Sequence, residues 1–129
     1  MSAVLLDTHA FLWFVFDDPR LSDLAAATIE DQAVTKVLSV ATLWEIAIKR
    51  QIGNRELGME LADFFDQHVT GRELELLDIE LSHLLAYDAL PLAHRDPFDR
   101  LLVAQAGALG VPILSADPAF SQYAVKIVW

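Results

Sequence analysis

Four acidic residues lie beside apolar segments of this 129-residue sequence, where solvated acids are not expected. Asp7 and Asp117 each follow an apolar run. Glu45 is embedded in another, and Asp99 begins a fourth. A carboxylate next to buried apolar surface is costly unless its charge is compensated, and four converging carboxylates would also repel one another. Hard divalent cations select carboxylate oxygen, so the pattern predicts a Mg²⁺ or Mn²⁺ site if the four acids converge.

Each acid also has a simpler structural explanation. Asp7 and Asp117 are suited to cap the helices or turns that follow them. Asp99 would fall at the third position of a helix, where a negative charge favours the helix dipole. Glu45 is one helical turn from Lys49 and can pair with it. Each explanation suffices for one residue, and it is the coincidence of four that points to metal chemistry.

The elements that must position these acids alternate between short apolar strands and amphipathic helices. Strands are predicted at 4–6, 36–39, 74–77 and 112–114, with a possible edge strand at 125–128. Helices are predicted at 10–16, 23–30, 40–51, 59–69, 79–89 and 97–109, with a helical turn at 118–122. This alternation predicts an α/β fold with a mainly parallel sheet and helices on both faces, as one domain over 1–129. Sites in such sheets form beyond the carboxyl ends of the strands, the edge where these acids are expected.

Composition narrows the class of protein. Hydrophobic residues make up 54% of the chain, so a disordered protein is excluded, and the absence of cysteine excludes thiolate metal sites. No apolar run is long enough to cross a membrane and no signal peptide is recognisable, which favours the cytoplasm. The net charge of −10 argues against broad neutralisation of nucleic-acid phosphates, but not against phosphate chemistry through a bound metal.

Four motifs resemble the signatures of PIN-domain nucleases, and most closely those of VapC-type toxins of bacterial toxin–antitoxin pairs. They are LLDTH at 5–9, WEIA at 44–47, DPFDR at 96–100 and LSAD at 114–117. The resemblance implies a three-layer α/β/α sandwich and a Mg²⁺- or Mn²⁺-dependent endoribonuclease that leaves a 5′-phosphate and a 3′-hydroxyl. It assigns the catalytic and metal-binding roles to Asp7, Glu45, Asp99 and Asp117. The supporting positions it assigns are Thr8 and Ser115, with Asp96 as an additional acid that also has a sufficient explanation as a helix cap.

The resemblance also implies partners: an RNA substrate, a cognate antitoxin and a second copy in a homodimer. The predicted helix at 10–16 is apolar at every position, which indicates that another chain covers part of it, unless it is buried inside the domain. Arg50, Arg95 and Arg100 are candidates for contact with substrate phosphate. Arg100 could instead pair with an acid. The three tryptophans are interpreted as core or interface residues.

Other functions fit less well. A phosphatase with an aspartyl nucleophile requires a second Asp two residues after the first, and this position is His9. A receiver domain requires a lysine at the end of a late strand, and Lys126 has no suitable loop. The alternative that remains is a catalytically inactive PIN-like module that acts through protein–protein contacts.

Overall fold

Strands and helices alternate along the chain in a computed structural model that describes residues 1–53, 56–92 and 96–129. The strands are β1 (Ala3–Leu6), β2 (Thr35–Ser39), β3 (Glu75–Leu77), β4 (Ile113–Leu114) and β5 (Ile127–Val128). The α-helices are α1 (Thr8–Val15), α2 (Asp23–Glu30), α3 (Val40–Gln51), α4 (Leu61–Phe65), α5 (Leu81–Asp88) and α6 (Pro97–Leu109). A π-helical turn covers Asp66–Thr70, and a 3₁₀ turn covers Pro118–Gln122. Within the described ranges, no helix is long and apolar enough to span a membrane.

The sheet is parallel throughout, in the order β3-β2-β1-β4-β5. In the central strand β1, Leu5 lies opposite Val37 of β2 and Ile113 of β4. Because all strands run the same way, the residues that follow β1 and β4 emerge at the same edge of the sheet. This register makes positions 7 and 115 neighbours although they are far apart in sequence.

Two buried clusters on opposite faces of the sheet make the fold a three-layer α/β/α sandwich. Side chains alternate along β1, so Val4 and Leu6 pack on one face with residues of α1 to α4, such as Phe11 and Phe64. Leu5 packs on the other face with Leu102 and other residues of α6. Fully burying one large aliphatic or aromatic side chain contributes about 1.5–3 kcal/mol. The two clusters confirm the predicted fold class, an α/β fold with helices on both faces of a parallel sheet.

Local capping signals set several helix boundaries as predicted. Ser22 Oγ accepts from the Ala25 amide at 3.1 Å and begins α2. Gly110 ends α6 in the left-handed conformation, at φ +69°.

The single helix predicted at 59–69 is wrong, because α4 ends at Phe65 and continues as the π-helical turn. That turn brings Gly71 so close to the Gln67 carbonyl oxygen that an added Cβ would lie 2.5 Å from it.

The apolar helix predicted at 10–16 is partly buried in its own domain. It begins two residues earlier, as α1, because Asp7 caps it. Phe11 and Leu12 are almost fully buried in the core, and Phe16, just past the helix, is the large apolar residue left exposed at 46%. Burial inside the domain thus accounts for the first half of the helix, and cover of the rest by another chain stays a prediction. Helices on both faces of the sheet bury more of a central segment than its sequence alone indicates.

Candidate functional site at the carboxyl edge of the sheet

Asp7 and Asp117 are joined by the Ser115 hydroxyl. Asp7 follows β1, where its Oδ1 accepts from the Ala10 amide at 2.7 Å and caps α1. The Asp7 Oδ2 accepts a short hydrogen bond from Ser115 Oγ. The Ser115 Oγ in turn accepts from the Asp117 amide at 3.0 Å. Asp117 caps the following 3₁₀ turn through the Ala119 amide, at 2.9 Å. The capping interpretations of both acids therefore hold, and Ser115 links the Asp7 carboxylate to the backbone of Asp117.

The Asp7 carboxyl is the most perturbed acid of this edge. It is 3% exposed, and its pKa is raised to about 6. Burial is the largest cause, and the negative charges of Asp117 and Glu45 raise the pKa further. The hydrogen bonds from Ser115 and Ala10 act in the opposite direction. Asp7 therefore lies within electrostatic reach of Glu45 and Asp117, although burial is the main cause of its raised pKa.

Glu45 is buried in the second turn of α3, and both of its carboxylate oxygens are engaged. Its Oε1 accepts from Thr8 Oγ1 at 2.8 Å, and its Oε2 lies 2.7 Å from Lys49 Nζ. Thr42 Oγ1 lies 3.2 Å from the Thr8 hydroxyl and completes the cluster. Sequence reasoning missed Thr42. The feature that could have identified it is its position, one turn before Glu45 on the same face of α3.

The segment that carries Asp99 meets α3 through two aromatic residues. Phe98 contacts Trp44 edge-on, with ring centroids 5.3 Å apart, so the start of α6 packs against α3. Asp96 caps α6, and its Oδ1 accepts from the amides of Phe98 and Asp99 at 2.9 and 3.1 Å. Asp96 thus has the capping role expected of it, while Asp99 is half-buried in the first turn.

The donor set fits a hard divalent cation in chemical kind. It consists of carboxylate oxygens, and the like charges around Asp7 are those that a cation would compensate. In this conformation, however, no three acidic or histidine side chains in the described ranges lie close enough to hold one ion. The oxygens are instead satisfied by backbone amides, by hydroxyls and by the Lys49 ammonium. Lys49 supplies positive charge at the place where the acids would otherwise be uncompensated.

Replacing Lys49 by Met should destabilise the metal-free protein by about 1–3 kcal/mol, because the buried Glu45 carboxylate loses a partner. Mn²⁺ should then raise Tm more in Lys49→Met than in the wild type, since the ion would replace the lost positive charge. Thermal melts in EDTA and in Mn²⁺ measure both effects. Lys49→Arg keeps the charge and should resemble the wild type. Equal melting of Lys49→Met and the wild type under both conditions would contradict the counter-ion role.

The structure describes two of the three candidate arginines, Arg50 and Arg100. Arg100 is 5% exposed and donates to the Pro91 carbonyl at 2.7 Å and to the Tyr123 hydroxyl at 3.2 Å. Arg100 thus has neutral oxygens among its partners, and its expected contact with substrate phosphate stays a prediction. Arg50 lies 3.6 Å from exposed Glu60. Arg95 lies outside the described residues.

A cavity of about 280 Å³ opens beside Asp7 and Asp117, and its other walls include His9, Trp13 and Arg20. Sequence reasoning placed His9 near the site in a surface or capping role, but did not connect Trp13 and Arg20 with the acids. The available signal is that His9 and Trp13 are four residues apart on α1, directly after Asp7. A larger cavity of about 590 Å³ lies near the amino ends of β2 and β3 and is lined by none of the four acids. The smaller cavity is the one that belongs to this site.

Comparisons with known proteins agree with this fold. The family model of the PIN domain matches residues 4–126, and no curated protein sequence matches the chain. A chain in the structure of VapBC2 from Rickettsia felis, bound to a DNA fragment from their promoter, is similar, with 14% identity and a TM-score of 0.74. The match covers 98% of this chain and 97% of that one. A chain in the structure of FitAB bound to an IR36 DNA fragment is also similar, with 16% identity, a TM-score of 0.66, and coverage of 97% and 93%.

Proposed function

Because the chain belongs to the PIN domain family, we propose that it is a metal-dependent endoribonuclease and the toxin of a toxin–antitoxin pair. The observation that carries the proposal is the position of buried Asp7, linked through the Ser115 hydroxyl to Asp117, at the carboxyl edge of a parallel sheet. Catalysis requires no side-chain nucleophile. We place this activity in the cytoplasm, in one nuclease domain over 1–129.

The residues that would hold Mg²⁺ or Mn²⁺ are Asp7, Glu45, Asp99 and Asp117. When bound, a divalent cation lowers the pKa of water and offsets the charge that develops on phosphoryl oxygens. Other residues of the chain orient the carboxylates that would hold the ion. Ser115 holds the carboxylate of Asp7 and the backbone of Asp117 together, and Thr8 orients Glu45. Such supporting hydrogen bonds fix the direction of ligand oxygens, and losing one costs about 10–100-fold in metal affinity or activity.

Incubating the purified protein with total RNA tests the activity. We expect cleavage in Mg²⁺ or Mn²⁺, none in EDTA, and products with a 5′-phosphate and a 3′-hydroxyl. The alternative, a catalytically inactive PIN-like binding module, is favoured by one observation: no set of three ligating side chains is preassembled in the described part of the chain. Intact RNA after incubation with either metal would establish that alternative and end the nuclease proposal.

The partner we propose is a cognate antitoxin, as in the VapBC2 and FitAB assemblies to which the fold is similar. An arginine from such a partner would pair well with the acidic edge, because bidentate arginine–carboxylate bonds are strong and directional. Co-purification with the product of a neighbouring small gene should yield an inactive complex. Full RNA cleavage by a saturated complex would contradict inhibition by occupancy of this site.

We also propose a homodimer, now on different grounds from those of α1. Several exposed apolar side chains lie together on α5, where Leu81, Leu84 and Leu85 are 50–72% exposed, near Trp44 at 58%. An apolar patch of this kind is typical of a protein–protein contact. Light scattering should give a dimer mass at low micromolar concentration, and Leu85→Glu should give a monomer. The matched control is Ile52→Glu, at a residue equally exposed at 64% and elsewhere on the surface, which should remain dimeric. A monomeric wild type would exclude this contact.

A further inference from the structure

Arg20 is held flat on the wall of the cavity beside Asp7 and Asp117. Its Nε donates to Asp18 Oδ1 at 3.1 Å and its Nη2 to Asp18 Oδ2 at 2.7 Å, so two parallel bonds fix the guanidinium plane. The Cζ of Arg20 lies 4.8 Å from the centre of the Trp13 ring. The side chain nevertheless remains 68% exposed. The guanidinium is thus a fixed planar surface that solvent can reach.

Trp13 is itself fixed from other sides. Trp129 contacts its ring edge-on with centroids 5.8 Å apart, and His9 lies at 5.9 Å in a tilted arrangement. Because these residues contact Trp13 on other sides, Arg20 is the residue on the Trp13 ring that a ligand in the cavity would contact. We define Trp13, Arg20 and the orienting Asp18 as the Arg20 platform.

The charge balance of the Arg20 platform indicates what it binds. Asp18 already neutralises the guanidinium, and its own pKa is lowered to about 2 by the hydrogen bonds from Arg20. An arginine that is already paired with a carboxylate binds phosphate more weakly than a free arginine does, but the faces of its guanidinium group remain available for stacking. RNA-binding proteins commonly stack unpaired bases on arginine planes and aromatic rings. The cavity, at about 280 Å³, lies just below the range of about 300–1,000 Å³ for small-molecule sites and so suits one base.

We propose that the Arg20 platform stacks one unpaired base of the RNA beside the phosphate that is cleaved, and so positions the strand over Asp7 and Asp117. This role rests on the proposed ribonuclease function and adds a positioning residue that sequence reasoning did not identify. It also explains how a chain with a net charge of −10 holds RNA without a broad basic surface. Base stacking is largely independent of net charge and tolerant of sequence.

The test uses the full chain carrying Asp99→Asn, which keeps the cavity intact while removing cleavage. Single-stranded oligonucleotides carry 2-aminopurine at successive positions, because its fluorescence falls on stacking, and an end label reports affinity by anisotropy. Arg20→Ala should weaken binding by about 10-fold, within the range found for loss of one stacked base. Arg20→Lys keeps the charge but loses the plane, so it should lose the 2-aminopurine response at the same position. Asp18→Asn loosens the plane and should have an intermediate effect.

Arg72 provides a matched control. It also lies over an aromatic ring, Phe14, at 5.0 Å, but it lines the larger cavity, which none of the four acids lines. Arg72→Ala should leave affinity and the 2-aminopurine response unchanged. An unchanged 2-aminopurine response in Arg20→Lys would overturn the proposed role of the Arg20 platform. Equal losses of RNA affinity in Arg20→Ala and Arg72→Ala would do the same. Both results would leave the nuclease proposal intact. If the Asp99→Asn chain binds none of the RNAs and the wild type cleaves none, both proposals fail.

Discussion

Asp99→Asn should lower RNA cleavage by more than about 100-fold with little change in Tm. Metal binding needs the negative charge, whereas Asn keeps the shape of the side chain. The loss should exceed the 10–100-fold typical of residues that only support a metal ligand. Single-turnover cleavage of one RNA at saturating Mg²⁺ gives the rate, and circular dichroism reports the fold.

Asp96 offers a control three residues away in the same segment. Its Oδ1 caps α6, and Asn caps helices about as well as Asp, so Asp96→Asn should keep both the fold and most of the activity. A similar loss in both variants would show that the segment needs net charge and not a specific ligand. Near wild-type turnover of Asp99→Asn together with Asp117→Asn would remove the assignment of the active site.

Asp7→Asn should stabilise the metal-free protein at neutral pH. The Asp7 pKa is raised from 3.8 to about 6, and one pKa unit corresponds to about 1.4 kcal/mol. Keeping this carboxyl ionised in the folded state therefore costs roughly 3 kcal/mol above pH 6. Part of the gain is offset because Asn binds the Ser115 hydroxyl less well. We expect Tm in EDTA to rise by about 5–10 °C at pH 7.5.

The dependence of this stability difference on pH tests whether ionisation of Asp7 is its cause. Below the unfolded pKa of 3.8 the carboxyl is protonated in both states and costs nothing. The cost grows as pH rises from 3.8 to the folded pKa of about 6, and it is fully present above that value. The advantage of Asp7→Asn should therefore shrink between pH 7 and pH 4. Asp88→Asn, at an exposed acid of α5, should shift stability by no more than about 0.5 kcal/mol at either pH. A constant advantage of Asp7→Asn across this range would rule out ionisation as its source. Mn²⁺ should stabilise the wild type more than Asp7→Asn.

The sequence by itself determined the elements whose signals are local. Helices α2, α3 and α6 have the predicted bounds because capping residues, apolar periodicity and Gly110 act within one or two turns. The parallel α/β architecture followed from the alternation of these elements. The four acids were also selected locally, by the cost of placing a carboxylate in apolar surroundings.

Only the tertiary structure decided which side chains meet. The Ser115–Asp7 hydrogen bond joins residues 108 apart, and it exists because β1 and β4 are neighbours in a register that periodicity does not encode. The same holds for Arg100, adjacent to a candidate ligand but turned into a buried cluster with Tyr123, and for the burial of α1. The Arg20 platform likewise depends on how the loop after α1 folds back onto Trp13. Local propensities act over a few residues, whereas such contacts depend on strand order and on the competition of distant groups for the same space.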